Sequence, residues 1–472
     1  MLKPSMDLLK NLYIPPPFAV QRKKSMKSYS SNRSPKFNES SVNKKTKEIR
    51  VAILAEEPLG WGSGKHYFPA ILDNYRWTNG GMSYKFSTTY LFDKDIIKGR
   101  LTVSDYDVFL VPGGGVGDGE SIAKGFNGFP SVRKWKKNFS KFIKDGGGYV
   151  GICGGAALIT GLNTDSKSPT TFAERQYDKS SLGVSCVTSY YKDLAIPLFY
   201  LFQWNHPEKI GAMGYVFSFA PGETKNGMQI YTGGVPIDFQ IKKDNPIFSD
   251  FPKETERIRW WGGPALLVPE NPKRDIVILA RYPAQELSEN TSTKIHAWRY
   301  TGGICGLLSA LINAFKLVKE KKVSLKNVPM YTYYLAGDWE PSNKRIELDF
   351  SNKACMTAEI YPNKNKGRIL LCTAHPEYMI WWDGTIEEVT PDGFHCLATG
   401  LHRWKNIRPL SKTAIDEFTH TWWMVRRFVA WAAKVPDIHL PPISKGETTE
   451  KAKTIVSEIF YDGDIINQMK NI

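Results

Sequence analysis

One cysteine stands in a setting that suits nucleophilic chemistry. Cys153 lies within Gly-Ile-Cys-Gly-Gly at 151–155, between an apolar run at 149–152 that predicts a buried strand and a helical pattern at 155–162. This strand–turn–helix order is that of a nucleophile elbow, with cysteine in place of serine. Small residues permit the tight turn, and the amides at the start of the following helix favour a thiolate. The motif therefore predicts Cys153 as a nucleophile, with the amide of Gly154 directed at a developing oxyanion.

A thiol nucleophile needs a base, and the tripeptide His-Pro-Glu offers a histidine with a carboxylate close to it. The tripeptide occurs twice, at 206–208 and at 375–377. The second copy follows a glycine turn and an apolar run, so His375 is expected at the end of a buried strand. His206 follows a proline-interrupted aromatic run, which is typical of a surface loop. We predict His375 as general base, with Glu377 orienting its ring, and His206 is the alternative.

A glycine-rich loop supplies a second group of backbone amides. Residues 107–111 predict another buried strand, which ends in a proline followed by three glycines. The carboxyl ends of parallel strands share one edge of a sheet, so this loop is expected beside the Cys153 turn. Glycine lets a backbone approach a ligand closely. The predicted oxyanion or substrate-binding residues are Gly113, Gly114, Gly115 and Gly154.

Strands that alternate with helices must position these turns. Short apolar runs predict strands at 49–54, 107–111, 149–152, 276–282 and 367–372, and an alternating pattern predicts one at 84–92. Apolar residues at helical spacing predict helices at 132–144, 155–162, 305–319 and 413–434. This alternation indicates an α/β domain with a parallel sheet.

The chain divides into three predicted parts. Residues 1–48 read as a disordered basic tail, because Ser, Lys, Asn and Pro dominate and apolar periodicity is missing. Residues 49–435 form the α/β domain, with a large insert at about 284–352. Residues 436–472 form a charged C-terminal extension. A solvated tail is the simplest interpretation, and an organelle-targeting or nucleic-acid-binding tail is the alternative.

Composition limits the classes of function. The 472 residues are 42% hydrophobic and carry a net charge of +16, but residues 1–50 alone hold 12 Lys/Arg against 3 Asp/Glu. The folded part is thus only mildly basic, and nucleic acid is not expected as its partner. Six cysteines without clustered spacing indicate free thiols in a reducing, cytoplasmic setting. No apolar run reaches about 18 residues, so no membrane partner is expected. We expect no metal and no cofactor.

The motifs together resemble a known family. The elbow at 151–155, the loop at 111–115 and the His-Pro-Glu at 375–377 look like class I glutamine amidotransferase-like domains, most of all the N-terminal domain of eukaryotic-type biotin–protein ligases. The resemblance spans residues 49 to about 382 and is interrupted by the insert. It implies a flavodoxin-like parallel sheet with helices on both faces. It also implies a Cys-His-Glu triad that acts on the C–N bond of an amide.

Two departures leave two hypotheses open. Glutaminases of that superfamily carry Leu-Gly-x-Gln after the cysteine, whereas this chain has Gly-Gly-Ala-Ala at 154–157. The Gly-Arg-Gly-Arg signature of a biotin-ligase catalytic module is absent. The first hypothesis is a Cys-dependent hydrolase or amide/acyl transferase whose substrate is a small-molecule or peptide amide. The second is a non-catalytic binding or regulatory module that keeps the same fold.

Overall fold

The structure is a computed structural model of the chain. It describes residues 46–55, 68–69, 71–73, 75–113, 130–163, 184–190, 220–221, 231–232, 235–260, 264–284, 294–300, 303–319, 325, 328, 339–347, 350–362, 365–377, 385–388, 402–405 and 412–442.

The described elements alternate between strands and helices. The strands are β1 (Thr46–Leu54), β2 (Arg76–Asn79), β3 (Met82–Leu91), β4 (Val108–Val111), β5 (Gly148–Ile152), β6 (Gly161–Asn163), β7 (Thr188–Tyr190), β8 (Ala220–Pro221), β9 (Tyr231–Thr232), β10 (Val235–Ile241), β11 (Thr255–Trp260), β12 (Ala265–Leu267), β13 (Ile276–Arg281), β14 (Lys294–Tyr300), β15 (Trp339–Glu347), β16 (Ala354–Ile360), β17 (Arg368–Cys372), β18 (Thr385–Glu388) and β19 (His402–Lys405). The helices are α1 (Asp93–Ile97), α2 (Pro130–Lys144), α3 (Gly154–Ile159), α4 (Gly303–Lys319) and α5 (Lys412–Ala432), followed by a 3-10 helix at Asp437–His439.

The main sheet is mixed, with a parallel centre. Its strand order is β11-β10-β13-β16-β17-β5-β4-β1-β3-β2. The consecutive strands β17, β5, β4, β1 and β3 are parallel. β16 is antiparallel to both of its neighbours in this order, β13 and β17. The α/β class is therefore confirmed, while the sheet is not parallel throughout as predicted. Only residues 361–367 join β16 to β17, and a parallel crossover needs a dozen or more residues.

Helices cover both faces of the parallel centre. Along β1, Val51 and Ile53 belong to one core with the apolar side of α5, including Val425 and Phe428. The intervening residues Ala52 and Leu54 belong to a second core with Trp135 and Phe139 of α2. Successive side chains of a strand point to opposite faces, so α2 and α5 lie on opposite sides of the sheet. β4, β5, β17 and the second half of β1 are thus buried on both faces, which explains their continuous apolar sequences.

The chain divides into two compact units. One consists of Met1–Asn43 and Gly302–Asp338 and includes α4; the other consists of Lys44–Thr301 and Trp339–Ile472 and includes the main sheet. Within the larger unit, the 3-10 helix at Asp437–His439 packs on the β2–β3 hairpin, where the Nε1 of Trp77 donates to the carbonyl of His439 at 2.8 Å. Among the described helices, none is both long and apolar enough to cross a membrane.

Candidate active site

Three neighbouring strands end at the same edge of the sheet. In the parallel pair β4 and β5, Val111 lies opposite Gly151. In the parallel pair β5 and β17, Ile152 lies opposite Cys372. The segments that follow β4, β5 and β17 therefore all start at this edge. They carry Gly113, Cys153 and His375, which are residues that the sequence predicted for the site.

Cys153 occupies a backbone conformation that is rare for residues other than glycine. Its φ is 48° and its ψ is −109°, and it is the N-cap of α3. The surrounding hydrogen bonds hold this geometry. The carbonyl of Cys153 accepts from the amides of Ala156 at 2.9 Å and Ala157 at 3.1 Å, and its amide donates to the carbonyl of Cys372 at 2.7 Å. A strained turn that is fixed on both sides is typical of a functional site, and it resembles the strand-to-helix turn of a nucleophile elbow.

The helix that follows Cys153 packs unusually close to the sheet. A Cβ at Gly155 would lie 2.1 Å from the carbonyl oxygen of Val111, so only glycine fits there. The buried hydroxyl of Tyr149 on β5 donates to the carbonyl of Gly155 at 2.5 Å. These contacts fix the first turn of α3 against β4 and β5. The glycine at the second position after the cysteine is thus explained by packing.

Gly113 lies between Cys153 and His375. A Cβ at position 113 would lie 2.7 Å from the Cβ of Cys153 and 2.7 Å from the Cε1 of His375. Those two atoms are therefore no farther apart than twice that distance. The Cε1 atom is the ring carbon between the two nitrogens of the imidazole. The imidazole ring thus lies within a few ångströms of the Cβ of Cys153.

His375 is paired with Glu377. The Nδ1 of His375 lies 2.8 Å from the Oε1 of Glu377. An ionised Glu377 would accept this hydrogen bond from Nδ1–H of His375 and leave Nε2 for another partner. The exposed fractions are 4% for Cys153, 3% for His375 and 0% for Glu377. The three side chains thus lie in an interior of low polarity, where electrostatic interactions are strong.

Helix α5 donates two hydrogen bonds to backbone carbonyls of the His-Pro-Glu segment at 375–377. The buried hydroxyl of Thr421 donates to the carbonyl of Pro376 at 2.5 Å, and the Nε1 of Trp422 donates to the carbonyl of Glu377 at 3.3 Å. Sequence reasoning missed both residues, because a threonine and a tryptophan on an amphipathic helix give no local signal of a contact 45 positions away. Within the described part of the chain, Oε2 of Glu377 is buried without a hydrogen-bond partner.

Other thiols near the centre of the sheet are held in their neutral form. Burial raises the pKa of Cys372, and the negative charge of Glu377 raises it further. Burial likewise raises the pKa of Cys355 well above its ordinary value. A protonated thiol is a poor nucleophile. Their raised pKa and their burial thus make Cys372 and Cys355 poor nucleophiles at neutral pH.

The remaining predicted residues differ in whether the structure describes them. Gly154 is buried as the first residue of α3. Gly114, Gly115 and the alternative base His206 lie outside the described residues. In the described ranges, no group of three His, Cys, Asp or Glu residues is arranged to hold a metal ion.

Sequence comparison leaves the family of the chain open. The chemistry of the site therefore follows from its own geometry. No protein-family model matches the sequence, and no curated protein matches it.

Proposed function

We propose that the protein is a Cys-dependent hydrolase or amide/acyl transferase with a flavodoxin-like, class I glutamine amidotransferase-like fold. Cys153 is the nucleophile, His375 the general base and Glu377 the residue that orients the base. The substrate class is a small-molecule or peptide amide, and the bond broken is its C–N bond. The observation that carries the proposal is the contact geometry at Gly113, which the side chains of Cys153 and His375 both approach.

The proposed reaction proceeds in two balanced steps. In the first, the sulfur of Cys153 bonds to the carbonyl carbon while its proton passes to Nε2 of His375. The C–N bond then breaks, the proton goes to the leaving amine, and a thioester remains on Cys153. In the second, water or an acceptor amine loses a proton to His375 and attacks the thioester. The C–S bond breaks, the proton returns to the sulfur, and the acid or new amide leaves.

Glu377 supports the proton transfer at His375. Its carboxylate accepts from Nδ1–H at 2.8 Å and stabilises the imidazolium that forms when Nε2 takes the thiol proton. Backbone amides of Gly154 and of the loop at 113–115 are proposed to stabilise the oxyanion. The positive φ of Cys153 turns the backbone sharply between the end of β5 and the start of α3.

The substrate is proposed to be an amide other than free glutamine. Ala157 stands where superfamily glutaminases carry the Gln of Leu-Gly-x-Gln, and its side chain is 8% exposed. A buried methyl group offers no hydrogen bond to a polar substrate. The same observation favours the second candidate function, a non-catalytic binding or regulatory module.

The pH dependence of iodoacetamide alkylation at each cysteine tests the proposal. The full chain is compared with His375→Ala and with the matched control His206→Ala, which alters the other His-Pro-Glu. We expect Cys153 to react faster than the other cysteines from about pH 6 to 7, because His375 accepts the thiol proton as the sulfur attacks, below the ordinary thiol pKa of roughly 8.5. His375→Ala should slow Cys153 at about pH 7 by about tenfold or more, and His206→Ala should leave it unchanged.

Two results separate the candidate functions. If Cys153 is no more reactive than Cys372 and neither histidine variant alters it, the Cys-His-Glu proposal fails and the non-catalytic module replaces it. If the thiol is activated, a panel of peptide and small-molecule amides is screened for amine release. Cys153→Ser then serves as the inactive control.

A further inference from the structure

Helix α4 exposes an apolar stripe. Its four large exposed side chains are Ile304 (61% exposed), Leu308 (54%), Ile312 (57%) and Phe315 (48%). Spacings of four, four and three residues place them on one side of the helix. Ala310 and Ala314 are buried and lie on the other side. Among the side chains of α4 that the structure describes, the buried ones are thus small and the four large apolar ones are exposed, whereas a surface helix usually buries its large apolar side chains.

The part of the chain that carries this stripe has an excess of positive charge. Helix α4 contains Lys316 and Lys319 and no acidic residue, and three more lysines follow by position 326. The compact unit formed by residues 1–43 and 302–338 contains thirteen Lys/Arg and four Asp/Glu. That unit therefore holds +9 of the net charge of +16. The apolar stripe and the excess of positive charge belong to the same part of the chain.

We propose that the stripe of α4 binds an anionic phospholipid surface, with the helix in the plane of the interface. The apolar side chains would enter the boundary between headgroups and acyl chains, and the lysines would reach the headgroup phosphates. A helix of 17 residues is about 25 Å long. Lying in the interface does not require the length of a spanning helix, so the expectation of no membrane partner, which rested on spanning length, does not cover this case.

Charge complementarity favours lipid over two other occupants. A second copy of α4 would bring more lysines to the contact and no carboxylate from the helix to pair with them. A nucleic acid would pair with the lysines, but its phosphate backbone gives no apolar surface to cover four large side chains. An anionic bilayer satisfies both the charge and the apolar area.

Vesicle flotation of the full-length chain tests this proposal independently of the catalytic one. One set of vesicles is phosphatidylcholine alone, and the other contains about three parts phosphatidylcholine to one part phosphatidylserine. The first variant, Leu308→Gln with Ile312→Gln, removes the centre of the stripe. The second, Lys316→Gln with Lys319→Gln, removes the charge of the helix. The matched control is Ser309→Gln, at an exposed position on α4 outside the stripe.

We expect the chain to float with the anionic vesicles and to bind the neutral ones far more weakly. The apolar pair of substitutions should weaken binding by about tenfold or more, and the lysine pair should weaken it by a similar factor. Ser309→Gln should leave it unchanged. Circular dichroism and Cys153 alkylation should be the same in all variants, because the substituted side chains are exposed or charged.

Three results overturn the proposal. The first is no binding to either vesicle. The second is anionic binding that the apolar pair leaves intact, which would assign it to basic residues elsewhere in the chain. The third is a dimer that the same pair dissociates while vesicle binding is absent, which would make a second copy of the chain the occupant of the stripe.

Discussion

At the scale of single residues, Gly113 is the most informative position in the proposed site. A methyl group there would lie 2.7 Å from atoms of both Cys153 and His375. We expect Gly113→Ala to push the two side chains apart, to slow Cys153 alkylation at neutral pH by about tenfold and to cost about 1–3 kcal/mol of stability. Alkylation kinetics and urea unfolding measure the two effects.

Gly161→Ala is the control for that substitution. Among the described residues, its new methyl group would meet only the Cγ2 of Thr188, at 3.2 Å, so the thiol kinetics of this variant should match those of the wild type. Wild-type kinetics in Gly113→Ala would contradict the close arrangement of cysteine and histidine. An equal loss in both variants would show a general effect of destabilisation instead.

Cys186 offers a thiol whose behaviour should be opposite to that of Cys153. Burial, followed by the negative charge of Glu359, raises its pKa to about 11. At about pH 8 roughly one molecule in a thousand would carry the thiolate there. We expect its alkylation rate in the folded chain to rise about tenfold per pH unit from about pH 8 to 10. In urea, the rate should level off near the ordinary thiol pKa, and a plateau there in the folded chain would contradict the prediction.

At the scale of elements, α5 is expected to position the base without touching the substrate. The hydroxyl of Thr421 donates to the carbonyl of Pro376, and Thr421→Val would leave that carbonyl without its donor. We expect a loss of about 1–3 kcal/mol in unfolding free energy. We also expect the pH profile of Cys153 alkylation to shift upward, because His375 is less firmly held. Urea unfolding of the variant and the wild type measures the change in stability. Alkylation rates over a range of pH measure the shift of the profile.

The chain contains a matched control for this substitution. Thr357 is also buried, and within the described residues its hydroxyl has no hydrogen-bond partner. Thr357→Val should therefore be neutral or stabilising and should leave the alkylation profile alone. A Thr421→Val variant that loses stability yet keeps the wild-type profile would show that α5 supports the fold but not the position of His375.

Local patterns were sufficient to predict most elements of the sheet centre. The expected strands at 49–54, 107–111, 149–152 and 367–372 correspond to β1, β4, β5 and β17. They are buried on both faces, so their apolar runs are continuous and visible in the sequence. Whether each strand runs parallel or antiparallel to its neighbours was harder to predict from the sequence. The antiparallel β16 follows from the short connection to β17, whereas the periodicity of an apolar run carries no information on direction.

The sequence predicted only part of the candidate site, because short motifs are visible in it and contacts between distant segments are not. Cys153 and the His-Pro-Glu at 375–377 are short motifs with a recognisable order of strand, turn and helix. The contacts of Thr421 and Trp422 arise only when α5 packs on the sheet, next to the segment that follows β17. The two glycines that permit close approach, Gly113 and Gly155, could be identified as turn residues, but the atoms they make room for could not.

At the scale of the whole molecule, the buried acids that must stay protonated predict a loss of stability in alkali. Burial raises the pKa of the thiols Cys355 and Cys372 and of the phenols Tyr149 and Tyr282. Each contributes stability that is fully present below its unfolded pKa and is lost as pH rises toward its folded pKa. Above the ordinary thiol pKa of roughly 8.5, the unfolded chain releases the thiol protons and the folded chain retains them.

We therefore expect the free energy of unfolding to fall between about pH 9 and pH 10, by up to about 1.4 kcal/mol per pH unit for each thiol. The window ends there because ordinary tyrosine and lysine side chains also titrate above about pH 10. Urea unfolding at several pH values measures the slope, and Cys355→Ala should make it shallower even where that variant is less stable at neutral pH. A wild-type slope that is flat across the window, or one that Cys355→Ala leaves unchanged, would mean that these thiols already ionise within the folded core.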